Sequence, residues 1–317
     1  MIAVRFAPLG ELPDMLAELG IANPYVIASG RWANPDFPHA GRLSTVPSPE
    51  IDVPPDADGI LAFGGGSAID TGKHASSVSE LPLVSVPTTY SGAEWTTGFG
   101  IRTPERRLQG GGGGARPAGI LYDVELTLDL PDDVTAGTSL NALAHCAEAL
   151  YVAGRSALGD DAALAGAPLI VRALPKVLAA PHDRVARTEL LEGAAHAGHA
   201  LGLAGLGLAH AMAQALGGTY GLAHGAMNAL CLPAGLTFNR EAAPEAVARF
   251  GEAIGADPVE GTRELALLGG FNRLRDYDVP EAELPQVAAM AAARKGNLDN
   301  PRPATPEEVE ELLRSIW

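Results

Sequence analysis

The stretch NALAHCAEALY, residues 141–151, places a carboxamide and an imidazole four residues apart. On a helix Asn141 and His145 lie one turn apart on the same face, a spacing that could offer two ligands to one metal ion. An amide cannot bring the negative charge that a carboxylate gives a divalent cation, so the stretch reads as a metal site without its anionic ligand. Further along, HAMAQALGGTYGLAHG carries His210 and His224 on either side of a glycine-containing break. A helix bearing His210, a turn at Gly217-Gly218 and a second segment beginning near His224 can aim both rings at the point where His145 projects. The remaining histidines, His39, His74, His182, His196 and His199, read as packing or solvent-facing groups.

Two motifs precede these. GGGSAIDTGK, residues 64–73, follows an apolar strand and opens a helix. Glycines let backbone N–H groups approach a phosphate and the helix start favours negative charge, so Gly64, Gly65, Gly66, Ser67 and Asp70 form a candidate cradle; a tight turn without ligand is the alternative. The motif matches neither GxGxxG nor the P-loop pattern. VPTTYSGAEWTTGFGI, residues 86–101, then sets Thr88, Thr89, Tyr90 and Ser91 after a strand end, where open α/β sheets gather ligands. These hydroxyls could hold a cofactor amide or ribose, or merely cap a turn; Tyr90 is counted with the catalytic candidates.

The elements that must position these groups show a change of texture along 317 residues. PYVIASG, ADGILAFGGGS and LPLVSVPTT alternate with turn signals, the rhythm of parallel strands in an α/β layer. From about residue 131, alanine- and leucine-rich segments show helical periodicity, starting with PDDVTAGTSLNALAHCAEALYVAG and including RTELLEGAAHAGHALGLAGLGLAHAMAQALGG as one segment that stops at Gly217-Gly218. This predicts an α/β dinucleotide-binding-like domain over 1–130 and an all-helical domain over 131–317 carrying the histidines. Asp and Glu number 38 against 22 Lys and Arg, a formal charge of −16 that disfavours nucleic acid and anionic lipid as partners. No window approaches about 20 uninterrupted apolar residues and MIAVRFAPLG lacks a signal-peptide core, so a cytoplasmic protein without a membrane span is expected. Cys146 and Cys231 form no CxxC pair and read as buried thiols.

GGGSAIDTGK, PTTYSGAEWT, YDVELTLDLP, NALAHCAEALY, HAMAQALGGTYGLAHG and NPRPATPEEVEELL, taken in order, resemble the iron-containing alcohol dehydrogenase superfamily, and within it the maleylacetate reductases. The resemblance implies a dehydroquinate-synthase-like architecture with a cleft between an N-terminal dinucleotide-binding domain and a C-terminal helical domain, and a dimer. It places Asn141, His145, His210 and His224 where metal-using members have an aspartate and three histidines. Maleylacetate reductases similarly tend to have asparagine there and work without metal, although three imidazoles, His145, His210 and His224, keep a zinc or iron site open. The implied reaction is reduction of a conjugated 4-oxo-alkenedioate by NADH or NADPH, with His210 and His224 as donor pair, Asn141 orienting substrate and His145 anchoring it. Arg102, Arg107, Arg116 and Arg302 are available to a dicarboxylate.

The sequence departs from these relatives in three places. Gln214 stands one turn after His210 where relatives usually have another histidine, and glutamine delivers no proton at neutral pH. Gly110–Gly114 reads as a mobile loop, either a surface excursion or a lid. Residues 30–57 are short and proline-rich, too broken for the helices and sheet that carry the adenosine half of a dinucleotide, which would weaken its binding. That trimming leaves two rival readings open, a redox-independent lyase, isomerase or cyclase on the same scaffold and a non-catalytic binding subunit.

Overall fold

The protein was analysed as a computed structural model that describes residues 2–103 and 108–317, without the side chains of Arg102 and Leu108. Its chain divides into two compact units, one of Met1–Thr89 with Ala93–Leu130, the other of Tyr90–Gly92 with Pro131–Trp317.

The first unit is built on a parallel sheet. Strands β1 (Ala3–Phe6), β2 (Pro24–Ala28), β3 (Gly41–Leu43), β4 (Gly59–Gly64), β5 (Pro82–Pro87) and β8 (Arg116–Tyr122) lie in the order β1-β8-β5-β4-β2-β3. All five residues of β2 are buried, and β4 and β5 are nearly so, because helices or loops cover both faces of a parallel sheet. Helix α1 (Leu12–Glu18) packs Leu12, Met15 and Leu16 on Val26, Leu61, Val84 and Leu121. Ile27, Ile60, Ala62 and Leu83 form a second cluster with Ala75 of helix α2 (Gly66–Ser79). The helix sits close: a Cβ on Gly72 would stand 2.6 Å from the Ala62 Cβ.

Two expectations for this unit are corrected. The proline-rich stretch 30–57 forms no helix, but it does extend the sheet, since β3 pairs in parallel with β2 through Tyr25–Gly41, Val26–Arg42 and Ile27–Leu43. A strand of three residues fits between prolines where a helix would need uninterrupted N–H donors. The glycine run is not a loop throughout. Strand β7 (Leu108–Gly112) pairs antiparallel with β6 (Phe99–Arg102), and only glycine fits at 111, where a Cβ would meet the Phe99 carbonyl oxygen at 2.9 Å.

The second unit is all helical. Helix α3 (Asp132–Ala149) is buried along almost its whole length and packs against α4 (Ala157–Ala179), α5 (Arg184–Ala204) and α7 (His224–Ala242). The predicted continuous segment 187–218 is broken at Gly205, whose φ of +93° ends α5, and the chain turns by 98° into α6 (Leu208–Tyr220). Helix α6 runs through Gly217 and Gly218, which supply no stop; the stop is Gly221, left-handed at φ 71°. Completing the unit are α8 (Pro244–Ile254), α9 (Pro258–Leu268), α10 (Leu284–Ala292), the short turn α11 (Lys295–Leu298) and α12 (Pro306–Ser315), the last started by a capping box between Thr305 and Glu308. Among the described residues α4 alone is, unbent, long and apolar enough to cross a membrane by length and composition. Its Ala163, Ala167, Ile170, Leu174 and Val177 are buried in the unit, and its packing on α3 and α5 accounts for that composition.

Candidate active site

Helix α3 puts Asn141, His145 and Glu148 on one stripe, at i, i+4 and i+7. All three are buried. Glu148 is the anchor: one carboxylate oxygen accepts from the Gly207 N–H at 2.7 Å and from His210 Nδ1 at 2.6 Å, and the other accepts from the His210 N–H at 3.2 Å. Gly207, the residue before α6, has no side chain to cap that helix, so the carboxylate of α3 does so, where the backbone dipoles favour negative charge. The His210 ring is thereby locked on its Nδ1 side.

The other side of that ring meets Asn141. Asn141 Nδ2 donates to the Ser91 carbonyl at 3.0 Å, which turns Oδ1 toward His210 Nε2, 3.2 Å away. Asn228 Nδ2 donates to the same Oδ1 at 2.8 Å and lies 3.0 Å from His224 Nε2. Both His210 ring nitrogens therefore face side-chain oxygens. His145 stacks on His210 with ring centroids 4.8 Å apart, and His224 is tilted against it at 5.8 Å. Burial, followed by the neighbouring His210 and His224, holds the His145 imidazole well below the usual histidine range, so it is neutral. His145 Nδ1, Asn228 Oδ1 and Ser91 Oγ are buried without a hydrogen-bond partner. Orphaned buried polar atoms are what a polar ligand or water would satisfy.

Tyr90–Gly92 completes this arrangement. Tyr90 is fully buried, its hydroxyl accepts from Arg187 Nη1 at 3.1 Å, and its N–H donates to Thr138 Oγ1 at 3.3 Å. Gly92 has φ 72°, and a Cβ there would stand 2.9 Å from the Gly198 Cα and 3.4 Å from His145 Nδ1.

The arrangement does not fit a bound metal. Among the described residues no three His, Cys, Asp or Glu side chains form a group that could hold a metal ion. The donor atoms are turned to one another, His210 between Glu148 and Asn141, and His224 Nε2 to Asn228.

In the first unit, Gly65 precedes α2 and a Cβ on it would meet Thr89 Cγ2 at 2.9 Å, while Thr89 Oγ1 is buried without a partner. The Thr88 N–H donates to the Gly64 carbonyl at 3.1 Å. Gly64, Gly65, Gly66, Ser67, Thr88 and Thr89 thus lie together at the carboxyl ends of β4 and β5 and the start of α2, where open α/β sheets gather ligands. Asp70 is turned away to structural work: it pairs with the buried Lys73 at 3.2 Å and accepts from the Gly100 N–H at 3.3 Å. Ser91 belongs to the helical unit.

Of the other sequence candidates, His74 stacks on Phe99 and His39 Nδ1 lies 3.0 Å from the Phe37 carbonyl. Arg116 bonds the Glu80 carbonyl, and Arg302 pairs with Glu308 and covers the Phe238 ring. Arg107 and the side chain of Arg102 lie outside the described residues. Cys146 and Cys231 are free and buried, and burial pushes both thiols far up. Sequence reasoning missed Glu148, Asn228 and Arg187. The first two had a signal: Glu148 continues the helical stripe of Asn141 and His145, and Asn228 follows His224 by one turn. Nothing in the sequence marks Arg187.

Residues 135–317 match the Fe-containing alcohol dehydrogenase family, C-terminal, and residues 53–117 match iron-containing alcohol dehydrogenase. The maleylacetate reductase of Sphingobium indicum is 35% identical over 81% of this chain and 73% of its own length. That of Pseudomonas knackmussii is 32% identical over 99% of this chain and 95% of its own. The crystal structure of maleylacetate reductase from Agrobacterium tumefaciens superposes with a TM-score of 0.87 at 28% identity, covering 100% of this chain and 96% of that one.

Proposed function

Since this chain belongs to the iron-containing alcohol dehydrogenase family and is an oxidoreductase related to the maleylacetate reductases, we propose that it reduces the conjugated double bond of a small unsaturated oxo-acid, with histidines and carboxamides standing where a metal would. NADH or NADPH, held at Gly64–Ser67, Thr88 and Thr89, would supply the hydride. Addition to the double bond drives negative charge onto the adjacent carbonyl oxygen as an enolate. His210, oriented by Glu148 on one ring nitrogen and by Asn141 on the other, is the fixed polar ring facing that oxygen in a buried, low-dielectric setting. His224 is the half-buried one of the three imidazoles, and therefore the one able to exchange a proton with solvent, so it serves as proton donor. His145 and Asn141 shape the floor. The orphaned His145 Nδ1, Asn228 Oδ1 and Ser91 Oγ are where polar groups of the substrate bind.

The observation that carries this reading is that Asn141 Oδ1 is bonded by Asn228 and faces His210, rather than being presented as an anionic ligand. The test is to incubate the purified protein with NADH or NADPH and maleylacetate, before and after exhaustive chelation, following nicotinamide absorbance. Turnover that survives chelation is expected. Turnover that vanishes and returns with zinc or iron would overturn the metal-free reading, and no turnover with either dinucleotide would overturn the substrate assignment.

A further inference from the structure

In an acidic chain, arginines find carboxylates, and in the helical unit most do: Arg155 and Arg249 share Asp160, and Arg314 takes Glu281 and Glu310. Arg294 is different. It is half-buried, yet among the described residues no carboxylate pairs with it. Its Nη1 reaches Gln214 Oε1 at 3.4 Å and its Nη2 the Gln214 carbonyl at 3.3 Å, both long bonds, and its Nε is buried with no acceptor. Burial alone acts on this guanidinium and lowers its pKa, with no opposing charge. A partly desolvated cation left this way is costly unless a counter-ion arrives.

Its position is set by close packing. A Cβ on Gly296 would stand 2.5 Å from the Gly207 carbonyl, so the chain just after Arg294 is pressed onto the start of α6. Gln214 lies on the same face of α6 as His210, one turn on, with Cβ atoms about 5–6 Å apart. Here glutamine, which both donates and accepts, can hold a guanidinium that a histidine at 214 would repel when protonated.

We propose that Arg294, steadied by Gln214, is the receptor for a carboxylate of the substrate. A guanidinium fork offers two parallel donors to a carboxylate, and the Gln214 contacts are weak enough to be exchanged for it. This deepens the reading of the His210 site as the place where an oxo-acid is reduced, and it assigns the distal acid group of a dicarboxylate to Arg294.

The probes are adipate and dimethyl adipate, titrated calorimetrically into the wild-type protein and into Arg294→Ala and Arg294→Lys without dinucleotide. The wild type is expected to bind adipate about 10- to 100-fold more tightly than the ester, the range for hydrogen bonds to a charged group. Arg294→Ala should lose that preference, and Arg294→Lys should keep part of it. Equal binding of the two probes by the wild type, no binding of either, or an unchanged preference in Arg294→Ala with an unchanged melting temperature would each overturn the assignment. Because no dinucleotide is present, failure here is distinct from failure of the reductase assay.

Discussion

At the scale of single residues, the site is a chain of side chains each oriented by the next: Glu148 holds His210, Asn141 faces its far side, and Asn228 joins Asn141 to His224. Glu148→Gln keeps the shape but weakens the hold on Nδ1. The expected outcome is a fall in kcat of about 10- to 100-fold, the usual range for a group that orients a functional histidine, with dinucleotide affinity unchanged by fluorescence titration. His224→Gln, at the proposed proton donor, should lower kcat/KM by about 10²- to 10⁴-fold, followed by nicotinamide absorbance. Asn141→Asp restores the anionic ligand that the metal-using relatives are expected to carry; the variant should retain zinc after dialysis by elemental analysis, where the wild type does not.

At the scale of elements, the site depends on two glycines that bring backbones together. Gly92 sits at φ 72° beside Gly198. Gly92→Ala incurs at least about 1–2 kcal/mol for the left-handed backbone, and its clash should also shift the Ser91 carbonyl off Asn141. A lower denaturant midpoint with a loss of kcat is expected, whereas a surface control such as Gly10→Ala, where nothing lies within 4 Å, should show neither. The break at Gly205–Gly207 matters as much. It splits one long helical pattern into α5 and α6, and the start of α6 is what Glu148 caps. Periodicity cannot show such a break, because residues on both sides keep the same apolar spacing.

At the scale of the whole molecule, buried titratable groups make stability depend on pH. His145 is neutral in the folded protein and its pKa is depressed there, so the unfolded chain binds the extra proton first. Its contribution is full above the unfolded value of about 6.5 and is lost as pH falls below it. Glu94 acts in the opposite sense at lower pH, since burial raises its carboxyl. Thermal melts should therefore show stability declining as pH drops from 7 toward 5.5, and His145→Phe should remove part of that slope while leaving the melting curve at pH 7.5 cooperative.

Local pattern alone was enough for the parallel strands PYVIA, GILAFG and PLVSVP, for the amphipathic or buried helices after residue 131, and for the candidates Asn141, His145, His210 and His224, because periods of 2 and 3.6 and i, i+4 spacing are properties of neighbouring residues. Short elements escaped it. β3 and β7 hold together through their pairing partners, and a three-residue or glycine-rich strand carries too little apolar pattern to announce itself. Tertiary structure alone decided that Tyr90–Gly92 joins the helical unit, that Glu148 reaches across to His210, and that Arg294 meets no carboxylate among the described residues. Which buried polar groups meet, and which are left without partners, depends on contacts between residues 50 to 100 positions apart, and no spacing rule along the chain encodes that.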